Sequence, residues 1–163
     1  LLADRRIGLP TGLGFFYRYG PNATVDPVIY RRHHASDPIE LLLIKRKKGG
    51  RWAFPGGFVD REDTSVAIAA RRETSEETCL DDIGGSDEII FHKCPVGSRT
   101  TLNAWTDNTV VLLHGTQEYL FETEPTPGDD AVDVGWFNRE QIAELDIYDA
   151  HLQYVDLAAD YLK

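Results

Sequence analysis

Methionine is absent from this 163-residue chain, cysteine occurs only at Cys79 and Cys94, and lysine is confined to Lys45, Lys47, Lys48, Lys93 and Lys163. Each shortage excludes something. Two thiols cannot build a zinc site or a disulfide-dense scaffold, so free thiols in a reducing compartment are expected. The scarcity of lysine leaves 17 basic residues against 27 acidic ones and a formal net charge of -10. That balance argues against non-specific binding to nucleic acid or an anionic membrane, which needs a basic surface. No apolar run approaches the roughly 18 residues needed to cross a bilayer, and no cleavable leader pattern is visible. A cytoplasmic protein is the default expectation, and a chain that starts at Leu1 without methionine is expected to have lost some N-terminal segment.

What is present reads as a soluble globular domain, 42% hydrophobic and 27% charged. A chain of this length suffices for one domain over 1–163 that buries roughly 70% of its unfolded surface. There is no repeat, low-complexity tract or linker. Tyr19-Gly20-Pro21-Asn22 punctuates into a turn before an apolar run at 27–30. Residues 40–45 (ELLLIK) form the clearest buried strand, and Gly49-Gly50 reads as a hairpin turn into a strand at 51–54. Further strands are predicted near 88–93, 109–113 and 132–137. Asn138 caps a short helix at 139–145, and an amphipathic helix runs over 149–162. Strands on both sides of a central helix, with a helix at the end, suit a mixed sheet between helical layers.

The most informative stretch is 57–80, GFVDREDTSVAIAARRETSEETCL. Glu73, Glu76 and Glu77 stand at i, i+3 and i+4, a spacing that gathers side chains into one sector of a helix. Val66, Ala69 and Ala70 lie on the stripe that carries the glutamates, with Arg71, Thr74, Ser75 and Thr78 opposite and Ile68 as the exception. The carboxylates therefore share the inward face, where unpaired charge costs several kcal/mol. A divalent cation among them resolves the repulsion, because Mg2+ and Mn2+ take hard oxygen ligands.

With Pro55-Gly56-Gly57 opening it and Arg72-Glu73-Thr74-Ser75-Glu76-Glu77 closing it, this stretch resembles the Nudix hydrolase signature, G-x5-E-x7-R-E-U-x-E-E-x-G-U with U aliphatic. The match has departures. The chain is one residue longer than the pattern, so the first Glu position falls on Asp63 or Thr64. Cys79 stands where the family has Gly, and Thr74 where it has an aliphatic residue. Beyond the signature, Arg18-Tyr19-Gly20-Pro21-Asn22 with Asp26-Pro27, Ile44-Lys45-Arg46-Lys47, Asn103-Ala104-Trp105, Gly128-Asp129-Asp130-Ala131 and Tyr148-x-x-His151-x-Gln153 resemble the mitochondrial-type ADP-ribose pyrophosphatases. These are relatives of the cytosolic tail of the ADP-ribose-gated cation channel. The resemblance implies the Nudix α/β/α sandwich.

A pyrophosphate is dianionic, so an acidic protein binds it through cations. The resemblance implies Mg2+ or Mn2+ held by Glu73, Glu76, Glu77 and the backbone carbonyl of Gly56, lowering the pKa of a bound water and stabilising the transition state. It implies that Arg72 orients a glutamate; a surface ion pair is the plain alternative. Asp129 and Asp130, in a turn before a strand, are candidates for the water-activating base, with Glu118 and Asp107 in reserve. Exposed turn aspartates are the competing account. Arg46 is the best phosphate contact in the one basic cluster, whereas Lys47 and Lys48 read as a solvated hairpin tip and Arg51 completes the cluster. Asn103 and Trp105 are assigned to a base or ribose by the resemblance. His151 reads as a structural hydrogen bond and His33-His34 as surface loop.

Two functions stay open. One is hydrolysis of ADP-ribose to AMP and ribose 5-phosphate, or of another nucleoside diphosphate derivative such as a sugar nucleotide, or of a dNTP. The other is a catalytically weak module that binds ADP-ribose and signals. The intact trio of carboxylates favours the enzyme. The expected partner is a small nucleotide, with no nucleic acid and no membrane.

Overall fold

Apolar alternation along the two longest strands decides the architecture. In β1 (Gly20–Arg31) and β6 (Ala104–His114), Val25, Ile29, Val111 and Leu113 point to one face, and Val28, Val110 and Leu112 to the other. All seven are fully buried, so the sheet is covered on both sides. The computed structural model describes residues 8–96 and 99–163, with only the backbone at Asp149. The first face packs α1 (Val66–Thr78) and α2 (Gln117–Glu122), and the second packs α3 (Arg139–Ala143) and α4 (Asp149–Tyr161). The other strands are β2 (Glu40–Arg46), β3 (Trp52–Ala53), β4 (Gly57–Phe58), β5 (Ser86–Lys93) and β7 (Ala131–Asn138).

The sheet runs β3-β2-β1-β6-β5, with β4 added to β1 and β7 to β2. β1 and β6 are parallel from Gly20↔Ala104 to Ile29↔Leu113, and the other pairings are antiparallel. The expected hairpin is present: Arg46 N donates to Arg51 O at 2.9 Å and Gly50 N to Arg46 O at 3.1 Å. Asn138 caps α3 through a full capping box with Gln141, as the sequence predicts.

Some expectations need correction. Gly20, Pro21 and Asn22 begin β1 rather than form a turn, because parallel β6 supplies partners back to Ala104. Neither β4, two residues long, nor α2, six residues long, was anticipated; neither is long enough to show a period. The inward face of α1 also differs from the helical wheel. Thr74 and Thr78 are fully buried, while Glu76 is exposed. Burial is tolerated because each threonine hydroxyl donates one turn back, Thr74 to Ala70 O at 2.8 Å and Thr78 to Thr74 O at 2.6 Å.

Ser65 caps the start of α1 by accepting from Ile68 N, and Cys79 ends it with φ 56 and ψ 25, its N–H bonded to Ser75 O. That left-handed conformation is the one glycine adopts freely at a helix C-terminus, which explains why the signature has Gly there. Cys79→Gly is expected to raise stability by about 0.5–1 kcal/mol, the relief of left-handed strain outweighing the looser unfolded chain. Urea denaturation of the two proteins checks this, and a glycine variant of lower stability contradicts it.

Candidate active site

The three glutamates reach their positions by different routes. Glu73 and Glu77 lie on the buried side of α1, 9% and 7% exposed, and Glu76 lies at its edge. Arg72 holds two of them: Nη1 donates to Glu73 Oε1 at 2.8 Å and to Glu76 Oε2 at 2.9 Å. Its Nη2 donates to Asp63 Oδ2 at 2.8 Å and to Phe58 O at 2.9 Å. Asp63, one of the two residues that can stand at the signature's first Glu position, thus meets Arg72, and the guanidinium holds its carboxyl below the usual carboxylate range.

Glu77 turns elsewhere, accepting from Gly56 N at 2.8 Å. The carboxylates thus do not meet at one point as the spacing predicts. Among the described residues, no three His, Cys, Asp or Glu side chains converge closely enough to hold an ion as they stand. The donor chemistry nevertheless fits a hard cation. Burial pushes the Glu77 carboxyl up to about 7 against the hydrogen bond from Gly56, and the charge on Glu73 adds to the shift. Burial likewise raises Glu73 despite its bond to Arg72. An all-oxygen carboxylate set favours a hard divalent ion over a soft metal.

The Gly56-Gly57 backbone comes unusually close. Gly56 has φ +151, and a Cβ there would lie 2.4 Å from Val25 O and 2.6 Å from Asp26 Oδ1. A Cβ on Gly57 would lie 2.6 Å from Glu73 Oε1. Glycine at both places lets the main chain touch the carboxylates.

The turn bearing Asp129 and Asp130 sits on the C-terminal end of α1. Gly128 N donates to Glu77 O at 3.0 Å and Thr126 N to Thr78 O at 2.9 Å. A Cβ on Gly128 would lie 2.1 Å from Glu76 O. Asp129 and Asp130 are exposed, and Asp130 adds its repulsion to Glu77. Lys47, read from sequence as part of a solvated tip, fixes this turn by donating from its N to Asp130 O at 2.7 Å. Arg46 acts electrostatically on Glu77 and Asp26, with its guanidinium 5.7 Å from the centre of the Tyr148 ring. Arg51 pairs with Asp146 at 3.6 Å.

Asn103 and Trp105 lie further off. Pro21↔Trp105 is four residues before Val25↔Gly57, about 13 Å along the strand. Asn103 Oδ1 accepts from Gly12 N at 2.8 Å and so holds the N-terminal segment. Asp107 is engaged by His92 at 2.6 Å and by Cys94 at 3.3 Å. Glu118 stands apart from the helix glutamates, lining a cleft with Arg32, His33 and Phe121, beyond the other end of β1. The larger cleft at that end, about 620 Å³, is lined by Arg31, Glu40 and Phe121 among others and contains none of the helix glutamates. His151 makes the expected structural bond, accepting from Phe54 N at 2.9 Å. His33 is exposed and stacks on Phe121 at 3.5 Å. Asn108 and Tyr154 form a buried polar group with Asp26; Asp26 is marked in the sequence by the resemblance at Asp26-Pro27, while Asn108 shows only as a polar residue interrupting apolar strand alternation.

A NUDIX domain model matches residues 20–158, and with this fold and carboxylate helix the chain belongs to the Nudix family. Nudix hydrolase 6 of Caenorhabditis elegans is 31% identical over 160 residues, 93% of this chain and 60% of that protein. The mitochondrial ADP-ribose pyrophosphatase of Rattus norvegicus is 29% identical over 185 residues, 95% of this chain and 52% of that protein. The chain thus spans 52–60% of the length of these two relatives. Among solved structures, the NUDIX domain of Shewanella oneidensis NrtR in complex with ADP ribose matches with a TM-score of 0.70 at 22% identity, over 88% of this chain and 90% of that one. At that identity the likeness is one of fold. Among the described residues no helix is long and apolar enough to cross a membrane. A mitochondrial relative leaves the cytoplasmic expectation without support.

The raised Glu77 carboxyl has a consequence for stability. A group protonated more readily in the folded than in the unfolded state stabilises fully below its unfolded value, 4.5, and loses that contribution as pH rises through about 7. In chelator, the melting temperature of the wild type relative to Glu77→Gln is expected to fall between pH 5 and pH 8. A difference that does not vary with pH contradicts the assignment.

Proposed function

We propose that residues 1–163 form a single Nudix domain that hydrolyses the pyrophosphate of ADP-ribose to AMP and ribose 5-phosphate with Mg2+ or Mn2+. The observation that carries the substrate is the relation, over 95% of this chain, to a mitochondrial ADP-ribose pyrophosphatase. The arrangement of Glu73, Glu76, Glu77, Asp130 and Arg46 around the end of α1 supports the reaction class.

Glu73, Glu76, Glu77 and the Gly56 carbonyl hold the cation in this reading. When bound, it neutralises phosphate charge and acidifies a water. Arg72 sets the orientation of Glu73 and Glu76 through its two Nη1 bonds. Asp129 or Asp130 takes the proton of the attacking water, since their turn is held against the helix end that carries Glu76 and Glu77. Oxygen from that water adds to one phosphorus, and the bridging oxygen departs with the other phosphate. Arg46, half-buried beside Glu77, contacts the phosphates.

Trp105 supplies the stacking surface for the distal part of the substrate. The 13 Å offset suits a molecule with groups on both sides of its pyrophosphate. Asn103 contributes through the segment it holds, because its amide oxygen already serves Gly12. A triphosphate leaves the distal surface unused, which favours ADP-ribose.

Product analysis with Mg2+ or Mn2+ is expected to show AMP and ribose 5-phosphate, at a kcat/KM above that of any dNTP or sugar nucleotide. Trp105→Ala is expected to reduce kcat/KM more for ADP-ribose than for a dNTP. Preference for a dNTP overturns the substrate, and tight ADP-ribose binding without turnover turns the reading towards a binding module.

Glu76→Gln and Glu77→Gln are each expected to remove most activity with the fold retained. Asn in place of the operative aspartate, Asp129 or Asp130, should lower turnover about 100-fold with affinity largely kept. Unchanged turnover in both glutamine variants removes α1 as the reaction centre, and unchanged turnover in a double Asn variant removes the turn as the source of the base.

A further inference from the structure

The segment 54–57, which brings Gly56 and Gly57 against the glutamates, has its own support. Its amides are held from both sides of the sheet. Gly56 N donates to Glu77 Oε2 on α1, and Phe54 N donates to His151 Nδ1 on α4. Pro55 between them has no N–H to place. The segment is therefore strung between two helices in opposite layers, through one carboxylate and one imidazole.

The Phe54 bond fixes the state of the imidazole. An N–H can donate only to a nitrogen with a free lone pair, so Nδ1 is unprotonated and the proton sits on Nε2. Nε2 faces Asp26 Oδ1 at 3.8 Å. His151 is 6% exposed, and burial holds its ring below the ordinary histidine range.

Asp26 is fixed in turn. Asn108 donates from Nδ2 to Asp26 Oδ2 at 2.7 Å and to the Tyr154 hydroxyl at 3.0 Å, and accepts from Thr24 Oγ1 at 2.7 Å. Asp26 Oδ1 also touches Gly56, since a Cβ on that glycine would lie 2.6 Å from it. Asp26 thus meets the segment twice, by direct packing on Gly56 and through His151.

We propose that His151 and Asp26 are positioning residues that set the Gly56 carbonyl relative to the Glu77 carboxylate, and so set divalent-cation affinity without touching cation or substrate. The proposal rests on the reading above that Gly56 and Glu77 hold the cation. Groups that orient ligands from behind characteristically change metal affinity by 10- to 100-fold when removed.

The test is Mn2+ titration of the folded protein, following free Mn2+ by electron paramagnetic resonance without substrate. His151→Leu removes the acceptor and is expected to weaken Mn2+ binding about tenfold or more. His151→Asn presents an oxygen near the place of Nδ1 and is expected to stay within about threefold of wild type. Asp26→Asn keeps an acceptor for Asn108 but loses the charge facing Nε2, and is expected to weaken binding several-fold. Tyr154→Phe removes only the hydroxyl bonded to Asn108 and keeps the ring that packs on Phe54 and His151, and is expected to lower the melting temperature but leave Mn2+ affinity unchanged.

Wild-type affinity in folded His151→Leu overturns the proposal, as does equal weakening by His151→Asn. Should His151→Leu lack a cooperative melting transition, the comparison of Asp26→Asn with Tyr154→Phe decides, and equal effects on Mn2+ affinity overturn the proposal. A wild type that binds no Mn2+ overturns the cation reading and this proposal together. Wild-type binding that every variant retains overturns only the positioning role.

Discussion

The guanidinium of Arg72 is the interaction on which the arrangement depends. It reaches the carboxylates of Asp63, Glu73 and Glu76 and the carbonyl of Phe58 within 2.9 Å, with Asp60 at 3.7 Å. Glu73 is nearly covered, and a buried carboxylate that loses its partner costs about 3–5 kcal/mol. Only arginine offers five donors in a rigid plane that can serve several acceptors at once. One side chain thereby joins the loop after β4 to two successive turns of α1. Asp63 meets Arg72 from the same loop in which the chain is one residue longer than the family signature.

Against this fixed centre, backbone is brought in where side chains would collide. Gly56, just before β4, and Gly57, at its start, approach the carboxylates, and Gly128 approaches the last turn of α1 from the loop before β7. These three contacts bring chain segments distant in sequence to one helix end. Burial of Glu77, with repulsion from Glu73 and Asp130 added to it, is the price of that assembly, visible in the raised carboxyl of Glu77. A site that keeps desolvated carboxylates in mutual repulsion is one whose stability improves when a cation enters.

Much of the fold was legible because its signals are local and periodic. The apolar run of β2, the glycine pair after it, the Asn138 cap and the apolar spacing of α4 each specify their element within a few residues. β4 and α2 were not legible, since two strand residues or six helical ones carry no period. The wheel of α1 misplaced Thr74 and Thr78 because it scores hydroxyls as polar, whereas here each hydroxyl is satisfied within the helix. At the site, the spacing of Glu73, Glu76 and Glu77 indicated carboxylates on one helix, but not that Arg72 joins Glu73 to Glu76 while Glu77 turns to Gly56. Nor could spacing show Lys47 holding the turn of Asp129 and Asp130, or Asp26 lying under Gly56. Those relations arise from sheet register between segments far apart in the chain.

That Arg72 holds Glu73 and Glu76 in place, rather than forming a surface ion pair, is open to experiment. Arg72→Lys tests it most directly, because lysine keeps the charge but loses the planar set of donors. Steady-state hydrolysis of ADP-ribose should be measured alongside the melting transition. A cooperatively folded protein with kcat lowered about 100-fold or more is expected. Turnover within a few-fold of wild type would contradict it.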